Sequence, residues 1–247
     1  MLVKRPVFTA VAFLTLGLGI GANTAIFSVV NGVLLRPLPY PEPDRIVRIW
    51  ELSSKGGHMD LSQPNFLDWK DATSVDPLVV YGASTETVLG GVEPVFAQAV
   101  VVSDGFFRVF GVEPRIGRTF TPDETREGGV PAVVVAHGFW TRTLGGETNL
   151  SKLRVIVGDQ TARVVGVMPE GFAYPSNADL WMPKELFADS SGRTSHNWES
   201  IARLKRGSSL TTASAELNTI AKQLKQQYGS DDDAVGAVVM ACRESRW

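Results

Sequence analysis

Cysteine is almost absent from this sequence. Of 247 residues one, Cys242, is a cysteine, so no internal disulfide can form and stability has to come from burial. Histidine is scarce as well. His58, His137 and His196 are the three present, none within metal-ligand spacing of another, and no Cys-x-x-Cys occurs. No G-x-x-x-x-G-K-[ST] loop is present, so the chain brings no ATPase of its own. Ser103, Ser176 and Ser195 stand outside any G-x-S-x-G context. Asp68 and Asp71 fall on adjacent faces of a short helix, where solvated surface is a commoner role than acid–base work. These gaps argue against an enzyme, and no catalytic, cofactor-binding or metal-ligating residue is assigned.

Charge is missing from one long stretch. Pro6 to Leu35 spans 30 residues without Asp, Glu, Lys, Arg or His. A bilayer core about 30 Å thick needs roughly 20 apolar helical residues at about 1.5 Å each. Apolar side chains fall on every face of this stretch, and nothing else in the chain could wrap it. The reading is one transmembrane helix within 1–36. Lys4 and Arg5 before it favour a cytoplasmic start. After it come Pro37, Pro39, Pro41 and Pro43, which no helix can continue through. The chain is therefore expected to sit in the bacterial inner (plasma) membrane with a single pass and its bulk, 37–247, in the periplasm. A cleaved signal peptide fits less well, because its apolar region runs about 7–15 residues and ends in an A-x-A-like site. Within the span, Gly17 and Gly21 have the small-xxx-small spacing that lets helices approach, and Asn23 is polar, so these three are the candidate helix–helix contacts. Gly17-Leu18-Gly19-Ile20-Gly21 is no dinucleotide loop, since no strand precedes it.

Two of the 24 basic residues precede the span, leaving 22 against 26 acidic ones, a net of −4. That balance offers no basic patch for nucleic acid. Strands are expected at 45–50, around 78–81, at 95–102, 132–136, 198–204 and 235–240, with an edge strand at 180–182. A hairpin is expected over 153–157 and 162–168 across Gly158-Asp159. Helices are expected at 63–71 behind Ser62, after Ser103 through Phe106, Phe107, Val109 and Phe110 to Gly111, and around Phe139 to Leu144. The strongest helical signal is Leu210, Ala213, Leu217, Ile220, Ala221, Leu224 and Tyr228, between Ser209 and Gly229. Strand–helix–strand at both ends with β-rich sequence between predicts an α+β fold: two lobes, β-α-β units and a β-rich insert.

Several stretches read together are familiar: Leu16-Gly17-Leu18-Gly19-Ile20-Gly21-Ala22-Asn23 running on to Asn31, Leu35-Arg36-Pro37-Leu38-Pro39-Tyr40, Phe106-Phe107-Arg108-Val109-Phe110-Gly111, Gly117-Arg118-Thr119-Phe120, Val164-Val165-Gly166-Val167-Met168-Pro169 with Gly171-Phe172, Ala178-Asp179-Leu180-Trp181-Met182-Pro183, and Ile201-Ala202-Arg203-Leu204-Lys205. They resemble bacterial ABC transporter permeases of the MacB/FtsX type, especially the duplicated orphan permeases, over nearly the whole chain. The resemblance implies a first membrane helix, a periplasmic core domain with a porter-like lobe and an inserted second lobe, and three further helices. It also implies other permease chains or halves and a separate ABC ATPase as partners, with no catalytic residue in this part. Such permeases run on toward a second membrane helix where this sequence reads Cys242 to Trp247, so a fragment or a subunit that pairs with other copies is expected. The expected role is export or mechanotransmission driven by the separate ATPase. The alternatives are a periplasmic adaptor or binding module, or a truncated, non-transporting permease remnant.

Overall fold

The computed structural model describes residues 14–24, 27, 40–91, 93–175, 177–187 and 191–242. Residues 14–24 form helix α1, in which Leu14, Leu16, Leu18 and Ile20 are 60–72% exposed. The rest of the expected span, 6–13, 25–26 and 28–35, lies outside the described residues. Among the described residues no helix is long and apolar enough to cross a membrane. Tyr40–Ala241 make up one compact unit.

That unit is built on one connected sheet. Its first half is a split β-α-β pattern of β1 (Ile46–Ser53), α2 (Gln63–Trp69), β4 (Val75–Leu89), β11 (His196–Leu204), α5 (Leu210–Tyr228) and β12 (Ala234–Ala241). The sheet order is β12-β1-β11-β4, and each neighbouring pair is antiparallel. Each helix therefore crosses between two parallel strands with a third strand between them. Alternation decides the two faces. Val47, Ile49, Leu78, Val80, Ala202 and Leu204 point to one side, where α2 brings Phe66 and Trp69 and α5 brings Ala213, Leu217, Ala221 and Leu224. Two short strands, β2 (His58–Met59) on β1 and β3 (Leu61–Ser62) on β11, lead into α2. The caps of the two helices are as expected. Ser62 Oγ accepts from the Asn65 amide at 3.3 Å, and Ser209 forms a capping box with Thr212.

The insert lies between β4 and β11. It contains β5 (Val95–Val102), α3 (Phe106–Phe110), β6 (Ile116–Gly117), β7 (Ala132–Val135), α4 (His137–Thr143), β8 (Arg154–Val157), β9 (Gln160–Val167) and β10 (Leu180–Pro183). The pairings β4–β5, β5–β10, β10–β7, β7–β9, β9–β8 and β8–β4 close on themselves, so this part is a small barrel. Alternate residues fill it: Val88, Ala97, Ala99, Val133, Val135, Val155, Val157, Ala162, Val164, Leu180 and Met182, with Phe139 and Leu144 added from α4 and its end.

Three expectations change. Residues 180–182 form no edge strand. β10 lies between β5 and β7, and all four of its residues are buried, because the barrel needs a strand there to close. Ser103 does not cap α3. Gly105 does, at φ 83, while Ser103 Oγ accepts from the Val80 amide at 3.0 Å. Finally, the strand expected around 78–81 extends over Val75–Leu89 and belongs to both the split β-α-β sheet and the barrel. The two hydrophobic clusters match the two expected halves, but they share this strand.

Candidate functional site

Several contacts tie down the first residues of the unit, Tyr40 to Arg45. Tyr40 packs on Phe110 at 4.9 Å and Phe172 at 5.7 Å between ring centroids. Pro41 and Glu42 are held by Arg203. This guanidinium donates to the Val109 carbonyl at 2.8 Å, the Pro41 carbonyl at 2.8 Å and Glu42 Oε2 at 3.0 Å. Arg45 adds a second hold, donating to the Leu204 carbonyl at 2.9 and 2.7 Å and to Glu42 at 2.6 Å. Strand alternation explains why Arg203 is available: Ala202 and Leu204 face α5, so Arg203 faces α3 and the incoming chain. Glu42 has φ 49, a left-handed conformation that costs a non-glycine residue about 1 kcal/mol or more. Hydrogen bonding from Arg203, helped by the charges of Arg45 and Arg206, outweighs desolvation and holds the Glu42 carboxyl below its usual range.

The clasp continues into an aromatic layer. Phe106, Phe107 and Phe110 of α3 meet Tyr81 of β4, Phe172, Tyr174 and Trp181 of β10, with centroids 4.8–6.3 Å apart. Trp181 donates to the Tyr174 carbonyl at 2.9 Å, and Tyr81 meets the Tyr174 hydroxyl at 3.0 Å. The turn of aromatics expected to be core is core. It joins the first half of the sheet to the barrel. β1 and β12 are neighbours with Val47 opposite Ala241, so the chain enters and leaves this unit on adjacent strands.

A second polar cluster lies at the far end of β11. His196 Nδ1 stands 2.8 Å from Glu51 Oε2 and 3.0 Å from the Asp60 carbonyl, and its Nε2 stands 2.8 Å from Asp233. Glu51 is fully buried, and burial pushes its carboxyl up to about 7 against the hydrogen bonding of Ser62 and Asn65 and the charge of His196. Asp232 is also buried, and its Oδ1 accepts from Asn65 at 3.3 Å and from the Ala234 amide at 3.0 Å. An open groove of about 700 Å³ runs beside α4, and its two charged groups nearest β10, Arg142 and Asp179, pair with each other at 3.0 Å.

The candidate contacts Gly17, Gly21 and Asn23 all lie on α1. Gly17 and Gly21 share a shallow apolar groove with Leu14, Leu18 and Ala22, and a Cβ on either would meet nothing within 4 Å. Of the histidines, His58 stacks on Trp50, His137 packs against Trp140, and His196 is in the buried cluster. Asp68 pairs with Arg193 at 2.6 Å rather than with Asp71. Among the described residues no group of His, Cys, Asp and Glu is placed to hold a metal ion. Sequence reasoning passed over Arg203 and Glu51. Arg203 is a lone charge inside the apolar β run Ile201-Ala202-Arg203-Leu204, and Glu51 follows Arg48 as the second charge of Ile46-Val47-Arg48-Ile49-Trp50-Glu51; those were the available signals.

The family described as MacB-like periplasmic core domain matches residues 9–220. Among curated proteins none matches the chain. The periplasmic region of MacB from Actinobacillus actinomycetemcomitans shares its fold, with a TM-score of 0.59 and 15% identity over 86% of this chain and 91% of that one. The extracellular domain of the noncanonic ABC-type transporter YknZ from Gram-positive bacteria aligns with a TM-score of 0.57 and 16% identity, over 79% of this chain and 99% of that one. A domain of a Porphyromonas gingivalis protein described as a permease aligns with a TM-score of 0.60 and 13% identity, over 84% and 95%.

Proposed function

Since the chain belongs to the family of MacB-like periplasmic core domains, we propose that it is the membrane-anchored periplasmic domain of an ABC-type permease and carries motion between a membrane helix and the periplasm. The motion is driven by a separate ABC ATPase, with other permease chains or halves completing the transport path. The domain works mechanically, without a catalytic site of its own. The uncharged run from Pro6 to Leu35 and the exposed leucines of α1 support a membrane helix before Tyr40.

The clasp carries this reading. A domain that is merely displayed from a membrane is served by a flexible linker, which transmits almost no force. Here the first residues of the unit are bound into its core. Arg203 ties Pro41 and Glu42 to β11 and to α3, and Tyr40 packs into the aromatic layer that reaches the barrel. A pull on Tyr40 therefore moves α3 and β11 together.

The test is a flexible Gly-Ser insertion between Pro39 and Tyr40 in the full chain, purified with its partner ATPase in lipid nanodiscs. Hydrogen exchange is followed at 41–45, 106–110 and 201–204 with and without ATP. In the parent, nucleotide changes exchange in all three segments; in the insertion variant the complex stays intact and the change disappears. Absence of any ABC ATPase among co-purifying proteins, or cytoplasmic labelling of cysteines placed after residue 45, would sink the proposal.

A further inference from the structure

We infer that Glu51, His196 and Asp233 form a proton-held latch: one proton in the Glu51–His196 contact keeps the 58–62 ribbon and the turn before β12 fastened to β1 and β11, and its release unfastens them. The argument is one of hydrogen count. Asp233 is half-exposed and accepts at 2.8 Å, so His196 Nε2 carries a hydrogen. The other nitrogen, Nδ1, is 2.8 Å from Glu51 Oε2. That spacing needs one proton, on Nδ1 or on Oε2. Without it one imidazole lone pair faces a carboxylate oxygen in either tautomer, that of Glu51 at Nδ1, where the Asp60 carbonyl also stands at 3.0 Å, or that of Asp233 at Nε2.

Water cannot relieve the conflict while the latch is closed. Glu51 is fully buried, and its Oε2 has no aligned hydrogen-bond partner among the described residues, although His196 Nδ1 stands 2.8 Å away. Ser62 and Asn65 are the neighbours that donate to the Glu51 carboxyl, Ser62 to Oε1, and the charged groups around it are engaged elsewhere. On β1, Arg48 pairs with Glu199 of β11 at 2.8 Å. On α2, Asn65 gives its side-chain amide to Asp232 and Asp68 is taken by Arg193, which also holds Asn65 and stacks on Tyr228. Lys225 of α5 is bound to the Gly229 and Asp232 carbonyls. His58 of β2 stacks on Trp50. Asp60, Asp232 and Asp233 are acidic, so the neighbourhood holds the proton rather than replacing it. The raised carboxyl of Glu51, about 7, agrees with release in the neutral range.

The strands held are short. β2 meets β1 over two residue pairs, and β3 meets β11 over two, with an irregularity between His196 and Trp198. The latch also sits on the strand that carries the clasp. His196 and Arg203 are separated on β11 by about 23 Å at about 3.3 Å per residue. Protonation at one end of β11 thus sets how firmly its neighbours hold that end. The inference rests on these contacts alone and is independent of the transport reading.

Hydrogen–deuterium exchange of the full chain in detergent micelles tests it, at pH 6.0, 7.0 and 8.5, each corrected for intrinsic exchange. Protection of peptides covering 58–62 and 232–234 should fall about tenfold from pH 6.0 to 8.5, as one proton's linkage allows. Peptides in β7 and β9 should keep theirs. Glu51→Gln, whose neutral amide accepts from Nδ1 or donates to it, should hold protection constant over the same range. An unchanged 58–62 segment in the parent protein overturns the latch, and that arm does not depend on the variant folding. An equal fall in Glu51→Gln overturns it too.

Discussion

Arg203 satisfies three acceptors on three segments, so its loss is felt in more than one place. Arg203→Ala leaves the Pro41 and Val109 carbonyls without this donor and the Glu42 carboxylate with one donor fewer, Arg45 remaining. The expected cost is about 2–3 kcal/mol of stability, measured by chemical denaturation of the full chain. Arg203→Lys should recover only part, because an ammonium cannot span the same fork. Two carboxylates then set pH behaviour of opposite sign. Burial works against ionisation of Glu216, but the hydrogen bonds from Ser74 and Thr73 outweigh it and hold its carboxyl down at about 2, against an ordinary 4.5. Its contribution is complete above 4.5 and is lost as pH falls through about 2. Glu216→Gln should therefore cost about 1 kcal/mol at pH 7, the exposed setting keeping the figure small, and almost nothing near pH 2. Glu51 is held above its ordinary value, so its contribution is present below 4.5 and is lost as pH rises through about 7. Glu51→Gln should gain on the parent between pH 5 and 8, by at most about 1.4 kcal/mol per pH unit. Denaturation midpoints at several pH values read both.

Elements here depend on close approaches that only glycine permits. Gly117 and Gly166 face each other across β6 and β9. A Cβ on Gly166 would stand 2.3 Å from the Arg118 carbonyl oxygen, and one on Gly117, at φ 78, would stand 2.2 Å from that of Val165. Gly166→Ala is expected to cost about 3 kcal/mol, seen as a lower midpoint in thermal unfolding. The outer edge of β12 is guarded from α5. Asn218 donates to the Ala237 carbonyl at 2.8 Å and accepts from its amide at 3.1 Å, as a neighbouring strand would. Gly236 leaves room for it, since a Cβ there would lie 2.6 Å from Asn218 Oδ1. Asn218→Ala and Gly236→Ala should each cost about 1 kcal/mol, and the double variant less than the sum, because both break the same pair of bonds.

At the scale of the molecule, the barrel and the split β-α-β sheet share β4 and are cemented by the aromatic layer, so they are expected to unfold as one unit. Unfolding followed by the fluorescence of Trp181, at their junction, and by far-ultraviolet circular dichroism should give coincident midpoints. Phe107→Ala, which removes a buried ring touching Phe172 and Trp181, should cost about 3–5 kcal/mol and lower both signals together. The stretches on which the family resemblance rests lie far apart in sequence. Tyr40, Phe110, Phe172 and Arg203 nevertheless meet around one clasp.

Most of the element plan was legible. Helix α5 was readable from its period of three and four and from Ser209, and β5 from its β-branched run, because local periodicity and caps report which face is buried. The Gly158-Asp159 hairpin was readable from its turn residues. The α+β class and the insert followed from their order. Ring closure was not readable, and that is why 180–182 passed for an edge: shortness and Pro183 mark an edge strand locally, but pairing partners are chosen across long separations. Nor were the two charge sites. Arg203 and Glu51 look like ordinary surface charges in a half-buried strand until the fold decides what covers them. For Arg203 that cover is α3 and the incoming chain; for Glu51 it is α2, His196 and the turn before β12. By itself the sequence determined the local conformations and the family. The tertiary structure alone decided which buried charges meet, because pairs such as Arg203 with Glu42 and Glu51 with His196 join residues more than a hundred positions apart.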